Sequence, residues 1–187
     1  MLEFMWRVDE EVLFIFQSIH SEFLNTFFWY VSEAWIFIPL WVWALIKIYH
    51  QYKKNQYAGI IIMVALTIFL SDQTSNVFKN HFKRLRPTHN EVLKDKIQLV
   101  NGYKGGTYGF YSAHASNSAA VCVLSLLLIR GSRFKYWMCL YPLLSGLSRL
   151  YLGVHYFSDV WVGWLMGSWL AISVYLLFRH RMKLDKN

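Results

Sequence analysis

Residues 57–78 read YAGIIIMVALTIFLSDQTSNVF, with Lys79 directly after them, and Asp72 is the only charged residue in the stretch. A helix needs about 20 mainly apolar residues to cross the hydrocarbon core of a bilayer, so this segment is expected to span a membrane. Measured the same way, four more spans are expected: 25–48, interrupted by Glu33, then 113–129, 136–150 and 157–178. The segments 113–129 and 136–150 are short, so their ends are expected to reach into the neighbouring loops. Residues 1–20 mix Leu2, Trp6, Leu13, Phe14 and Phe16 with charges, which reads as an amphipathic helix lying on the membrane surface. The expected fold is all-α: a polytopic membrane bundle of about five spans plus this helix, countable as a sixth element. Residues 1–187 are expected to form a single membrane-embedded domain.

Composition agrees. Of 187 residues, 56% are hydrophobic and 19% aromatic, above the usual share for a soluble domain. A soluble chain of this size could not bury so much apolar surface in one core. The net charge of +8 would suit nucleic acid only if Lys and Arg lined a polar surface. Here they fall between apolar runs, where they orient spans and meet anionic headgroups, so membrane lipids and not nucleic acid are the expected partners. Cys122 and Cys139 lie inside apolar runs and read as packing residues, with neither disulfide nor metal spacing. The N-terminus carries Glu3, Asp9, Glu10 and Glu11 without a small-residue cleavage site, the wrong charge for a secretory signal.

The short basic segments set the orientation. Lys47, Lys53 and Lys54 follow the first span, Arg130, Arg133 and Lys135 the third, and Arg179, Arg181, Lys183 and Lys186 the fifth. These are expected on the cytoplasmic side. Five spans then place the acidic N-terminus, the loop 79–112 and the turn 151–156 on the other side. That loop breaks the charge rule: Lys79, Lys83, Arg84, Arg86, Lys94, Lys96 and Lys104 stand against only Glu91 and Asp95. Either a statistical rule is violated without consequence, or the loop holds an anionic ligand.

Three groups of residues on that face bear on the choice. Lys79 stands at the outer end of the second span and Arg86-Pro87 follows seven residues later. A lysine point charge and an arginine fork together suit phosphate oxygens, although cations at a span's end also snorkel to the interface without a ligand. Tyr111-Ser112-Ala113-His114 opens the third span. Ser112 reads as an N-cap, and the free N–H groups of the first turn, Ala113 among them, suit an anion. His114 is either a proton donor and acceptor beside that anion or an ordinary interfacial histidine. Finally, Ser148-Arg149 precedes His155 and Asp159. The four-residue spacing puts the last two on one helical face. A carboxylate accepting one ring N–H leaves the other nitrogen free to attack, while a structural His–Asp pair is the blander alternative. Asp72, His81 and His89 are ranked below these, as a structural carboxylate and solvated loop histidines.

In order and spacing these residues resemble the type 2 phosphatidic acid phosphatase family. Its pattern is Lys, six residues, Arg-Pro; then Pro-Ser-Gly-His; then Ser-Arg, five residues, His, three residues, Asp. Here Lys79 to Arg86-Pro87 and Ser148-Arg149 to His155 to Asp159 keep both spacings. The middle motif keeps Ser112 and His114 but has Tyr111 for the proline and Ala113 for the glycine.

The resemblance implies that His155 attacks phosphorus to form a phosphohistidine, oriented by Asp159, and that His114 protonates the leaving oxygen. It implies that Lys79, Arg86, Ser112, Ala113 and Arg149 hold the phosphate oxygens, with no cofactor and no metal. The family includes soluble acid phosphatases, haloperoxidases and bacterial lipid phosphatases, and the apolar spans select the last. The expected enzyme is therefore a metal-independent lipid phosphate or diphosphate phosphatase of a bacterial inner membrane, its site facing the periplasm or the outside. Undecaprenyl diphosphate is the favoured substrate. Lipid A and phosphatidylglycerol phosphate are the runners-up, and a non-catalytic lipid-phosphate transporter or binding protein is the rival from another class. Oligomeric state is not legible.

Overall fold

The structure, a computed structural model, describes residues 2–182. Within that range the chain folds into seven α-helices: α1 (Leu2–Ser18), α2 (Glu22–Ser32), α3 (Ile38–Gln51), α4 (Lys54–Phe82), α5 (Ala113–Leu128), α6 (Leu140–Tyr151) and α7 (Phe157–Arg181). Short 3-10 turns join some of them, and the only extended pairing among the described residues is a single antiparallel bridge, Leu85 to Tyr108. The all-helical expectation therefore holds. Lys183 and Lys186, assigned above to a cytoplasmic tail, lie outside the described residues.

Two helices are long and apolar enough to cross a membrane, α4 with 29 residues and α7 with 25. At 1.5 Å per residue they run about 43 and 37 Å, more than the roughly 30 Å of a hydrocarbon core. The expected span 25–48 is broken at Glu33, as its charge suggested. Glu33 caps α2 in an extended conformation, and the chain turns by 75° between α2 and the helical run Ala34–Gln51, a pair that forms either one broken span or a re-entrant loop. The expected span 136–150 is shorter as a helix than its hydropathy implied. Residues Arg133–Cys139 form a 3-10 turn and α6 has only 12 residues. Phe134, Tyr136 and Trp137 are exposed on that turn.

The bundle's centre is α5, which packs most extensively against α7. Gly163 and Gly167 make this possible. A Cβ at Gly163 would stand 2.7 Å from the backbone oxygen of Ser112, and one at Gly167 would collide with the backbone of Ser116. Two glycines one turn apart let helix backbones touch, as small residues do in membrane interfaces. The contact matters because it sets the start of α7 beside the start of α5. Deeper in the bundle, Ile48, Ile60, Met63, Leu124, Leu128 and Ala171 join α3, α4, α5 and α7 in one apolar core.

Helix α1 departs from expectation. It is amphipathic, but it does more than lie on a surface: Asp9 and Leu13 are 2% and 1% exposed. Leu13 packs with Leu93, Ile97 and Tyr156, and Gln17 accepts the N–H of Gln98 at 2.8 Å. The loop between α4 and α5 is thereby clamped from outside by α1. From within, Arg86 N–H donates to Thr107 O at 3.1 Å and Gly109 N–H to Arg84 O at 2.9 Å.

Candidate active site

Each of the three sequence groups reaches one end of the bundle on a different element. Lys79 comes from the last turn of α4. Arg86 sits in the loop, where its Nε donates to Tyr108 O at 3.1 Å and proline follows it. Ser112 caps α5, its Oγ accepting from Ala115 N at 3.5 Å, while its own N–H donates to Asp159 O at 3.0 Å. Arg149 ends α6, and His155 lies in the turn before α7, with Asp159 in that helix's first turn. Lys79, Arg86 and Arg149 all lie close enough to His114 and His155 to act on their charge.

His155 is 1% exposed and Asp159 fully buried. His155 Nδ1 meets Asp159 Oδ2 at 3.3 Å, which leaves Nε2 as the nitrogen available for chemistry. Burial pushes His155 well below the usual histidine value, and Arg86, Lys79, Arg149 and Arg84 add to the effect. The ring is therefore neutral near pH 7, and its contact to Asp159 is a hydrogen bond from Nδ1–H to a carboxylate, not an ion pair. Asp159 Oδ2 also accepts the backbone N–H of Tyr156 at 3.0 Å, the geometry of an acidic residue capping a helix start. Gly109 lies against this pair: a Cβ there would come 3.0 Å from Asp159 Oδ2 and 3.5 Å from His155 Nδ1.

Arg149 is 3% exposed and is aimed by two contacts. Its Nη2 donates to Ser32 O at 2.6 Å, at the elbow where α2 breaks, and Tyr103 stands beside it from the loop. Its Nε–H is buried without a hydrogen-bond partner among the described residues. Burial lowers Arg86 from the usual arginine value, yet it stays cationic, since arginine does not deprotonate in proteins. Desolvated cations converging on a neutral histidine suit a bound, multiply charged anion such as a phosphoryl group. Among the described residues no three His, Cys, Asp or Glu side chains are grouped to hold a metal ion.

The two departures in the middle motif have local explanations. Tyr111 is fully buried; its hydroxyl lies 2.7 Å from Thr74 Oγ1 and its carbonyl accepts from Ser75 Oγ at 2.9 Å. Burial raises its phenol above the usual tyrosine value, so it acts as a neutral bolt between the loop and α4. Ala113 occupies the first position of α5, where its N–H belongs to the free set at the helix start. Of the lesser candidates, Asp72 accepts from Asn76 at 3.3 Å within its own helix. The His89 ring meets Thr88 Oγ1 at 3.2 Å, and His81 stacks edge-on to Phe82.

One charged residue at the site was not singled out by sequence reasoning. Arg84 Nη1 donates to Asp159 Oδ1 and Nη2 to Asp9 Oδ2, both at 2.6 Å. In the sequence it is one of seven cations in the loop, two positions before Arg86, and its partner Asp9 is 75 residues away.

This all-helical membrane bundle, with a neutral histidine and its carboxylate under a ring of cations, has the architecture of a phosphoryl-transfer enzyme, and residues 56–183 match the PAP2 superfamily, to which the chain belongs. It is 32% identical to the lipid A 4'-phosphatase of Bacteroides thetaiotaomicron over 99% of this chain and 84% of that protein. It is 26% identical to the lipid A 4'-phosphatase of Porphyromonas gingivalis over 95% and 75% of the two chains. Among solved structures, the transmembrane PAP2 type phosphatidylglycerolphosphate phosphatase of Bacillus subtilis superposes with a TM-score of 0.69 at 22% identity, over 92% of this chain and 85% of that one. The protein is a multi-pass membrane phosphatase.

Proposed function

We propose that this phosphatase removes a phosphate from lipid A, at the 4' position. The observation that carries this reading is the 32% identity to a lipid A 4'-phosphatase along nearly the whole chain. It displaces undecaprenyl diphosphate, favoured by sequence reasoning, since the two relatives that match over 99% and 95% of the chain carry the lipid A name. A non-catalytic binding protein would need the cations but not a neutral, carboxylate-oriented histidine beside them.

In the proposed reaction Nε2 of His155 attacks phosphorus while Asp159 holds Nδ1–H. The P–O bond to the lipid breaks, and His114, protonated once the bound phosphate offsets the surrounding cations, delivers that proton to the departing oxygen. Lys79, Arg86, Arg149, Ser112 and the N–H of Ala113 hold the equatorial oxygens, so charge neutralisation comes from side chains and the helix start rather than from a metal. Water then attacks the phosphohistidine, His114 takes its proton, and phosphate leaves with His155 restored. An apolar cavity of about 350 Å³ lined by Trp41, Ile48, Val64, Val121, Leu124 and Leu128 supports a substrate with a hydrocarbon tail. It follows the face of α5 that carries His114 at its outer end.

The enzyme is proposed to be a single domain that crosses a bacterial inner membrane five times, α5 and α6 completing their spans with adjoining turns. Its site would face the periplasm, with the basic connections at the other end. The test is a competition assay of the purified protein in EDTA, with lipid A bisphosphate, undecaprenyl diphosphate and phosphatidylglycerol phosphate at equal concentration. Mass spectrometry should show lipid A losing its 4' phosphate first and its 1 phosphate slowly or not at all. Faster release from undecaprenyl diphosphate would contradict the assignment.

A further inference from the structure

Arg84 lies between two carboxylates from opposite ends of the sequence. Asp9 on α1 and Asp159 on α7 have side chains 2% and 0% exposed, and Arg84 itself is 15% exposed. An ionised carboxylate so far from water demands a partner, and a single guanidinium serves both, one Nη to each. The fork is fixed by more than charge. The rings of Trp6 and Tyr156 lie 4.5 and 4.2 Å from the guanidinium carbon, so aromatic faces restrain it. Ser158 closes the cluster: its N–H and Oγ–H donate to the two oxygens of Asp9 at 2.8 and 2.6 Å, and its Oγ accepts from Arg84 Nη1 at 2.7 Å.

The contacts divide the two oxygens of Asp159. Oδ1 is held by Arg84, while Oδ2 receives His155 Nδ1 and the Tyr156 N–H. With Oδ1 occupied, the carboxylate cannot swing and its anionic form is favoured, which are the two conditions for keeping Nε2 of His155 unprotonated and aimed. We propose that Arg84 is a positioning residue of the phosphatase, that Asp9 holds it in place, and that α1 is thereby a working part of the active site and not only a surface anchor. This rests on His155 being the nucleophile.

The bland alternative is a staple that fastens α1 to α7 and contributes stability alone. The two differ in what they move. A staple changes the melting temperature and leaves the folded enzyme's turnover intact. A positioning pair lowers kcat while the anion site, built from Lys79, Arg86 and Arg149, still binds. It also shifts the acid limb of the pH profile, since Asp159 without its cation takes up a proton more readily. The charged and titratable groups facing the His155–Asp159 pair are Lys79 from α4, Arg84 and Arg86 from the loop, His114 from α5, Arg149 from α6 and, through Arg84, Asp9 from α1.

The experiment compares full-length Arg84→Lys and the milder Asp9→Asn with the parent enzyme, using p-nitrophenyl phosphate. It records kcat, KM, the pH profile, the vanadate inhibition constant and the melting temperature. Lysine keeps the charge but cannot fork to two carboxylates, so kcat should fall about 100-fold, the cost of a small misplacement at a reacting centre. Asp9→Asn should show a smaller loss of kcat in the same direction. For both, KM and the vanadate constant should move less than threefold, and in Arg84→Lys, whose ammonium no longer reaches Asp159 as the fork does, the acid limb should shift to higher pH. If either folded variant keeps parental kcat with only a lower melting temperature, the cluster is a staple and the proposal fails. If vanadate binding is lost in step with kcat, Arg84 is a phosphate ligand and the proposal fails differently. Failure of the underlying reading would show in the parent enzyme, as turnover without a histidine-bound phosphate.

Discussion

His155 is kept neutral by burial first and by four surrounding cations second. Unfolding releases a ring that takes up a proton near pH 6.5, whereas the native ring does so only at lower pH. As pH falls below that value the unfolded chain gains a proton that the native state lacks. Stability contributed by the buried ring is therefore complete above about pH 6.5 and lost on acidification, at up to about 1.4 kcal/mol per pH unit. The melting temperature should drop between pH 7 and pH 5, and drop less in His155→Asn. An equal drop in both would place the acid sensitivity elsewhere. At this scale the sequence was informative where spacing carries meaning: Lys79 to Arg86, Ser112 to His114, and Arg149 to His155 to Asp159 all end at one site. It was silent on Arg84, whose role depends on Asp9 at the far end of the chain, and on Tyr111, whose bonds run to Thr74 and Ser75 on α4.

Among the elements, the α5–α7 contact brings the histidine-bearing turn beside Ser112. Gly167 is central to it, because the backbone of Ser116 fills the space where a side chain would go. Gly167→Leu should force the helices apart and cost about 1–3 kcal/mol or more, as overpacking does. Activity of the surviving folded protein should fall, since Ser112 N–H no longer meets Asp159 O. A stable, fully active Gly167→Leu enzyme would show that the site does not depend on this approach. Hydropathy located α4 and α7 and marked the break at Glu33 by its charge. It overestimated 136–150, because Tyr136 and Trp137 count as apolar whether they cross the bilayer or ring its surface. It also treated α1 as a surface helix, because an amphipathic pattern does not say whether its polar face meets water or, as with Asp9 and Gln17, another part of the chain.

For the molecule as a whole, the proposed orientation puts the loop between α4 and α5 outside and the start of α4 inside. In a Cys122→Ser, Cys139→Ser background, a cysteine at Lys94 should react with a membrane-impermeant thiol reagent in intact cells, and one at Lys54 should not. The reverse pattern would move the site to the cytoplasm. The central claim is that His155 carries the phosphoryl group between lipid and water. It is tested most directly by rapid mixing with labelled substrate, quenching at alkaline pH, where phosphohistidine survives, and mapping the label by mass spectrometry. The label should sit on His155 and should accumulate in His114→Asn, which lacks the group proposed to activate water. A labelled residue other than His155, or a phosphoenzyme still trapped in His155→Asn, would contradict the account.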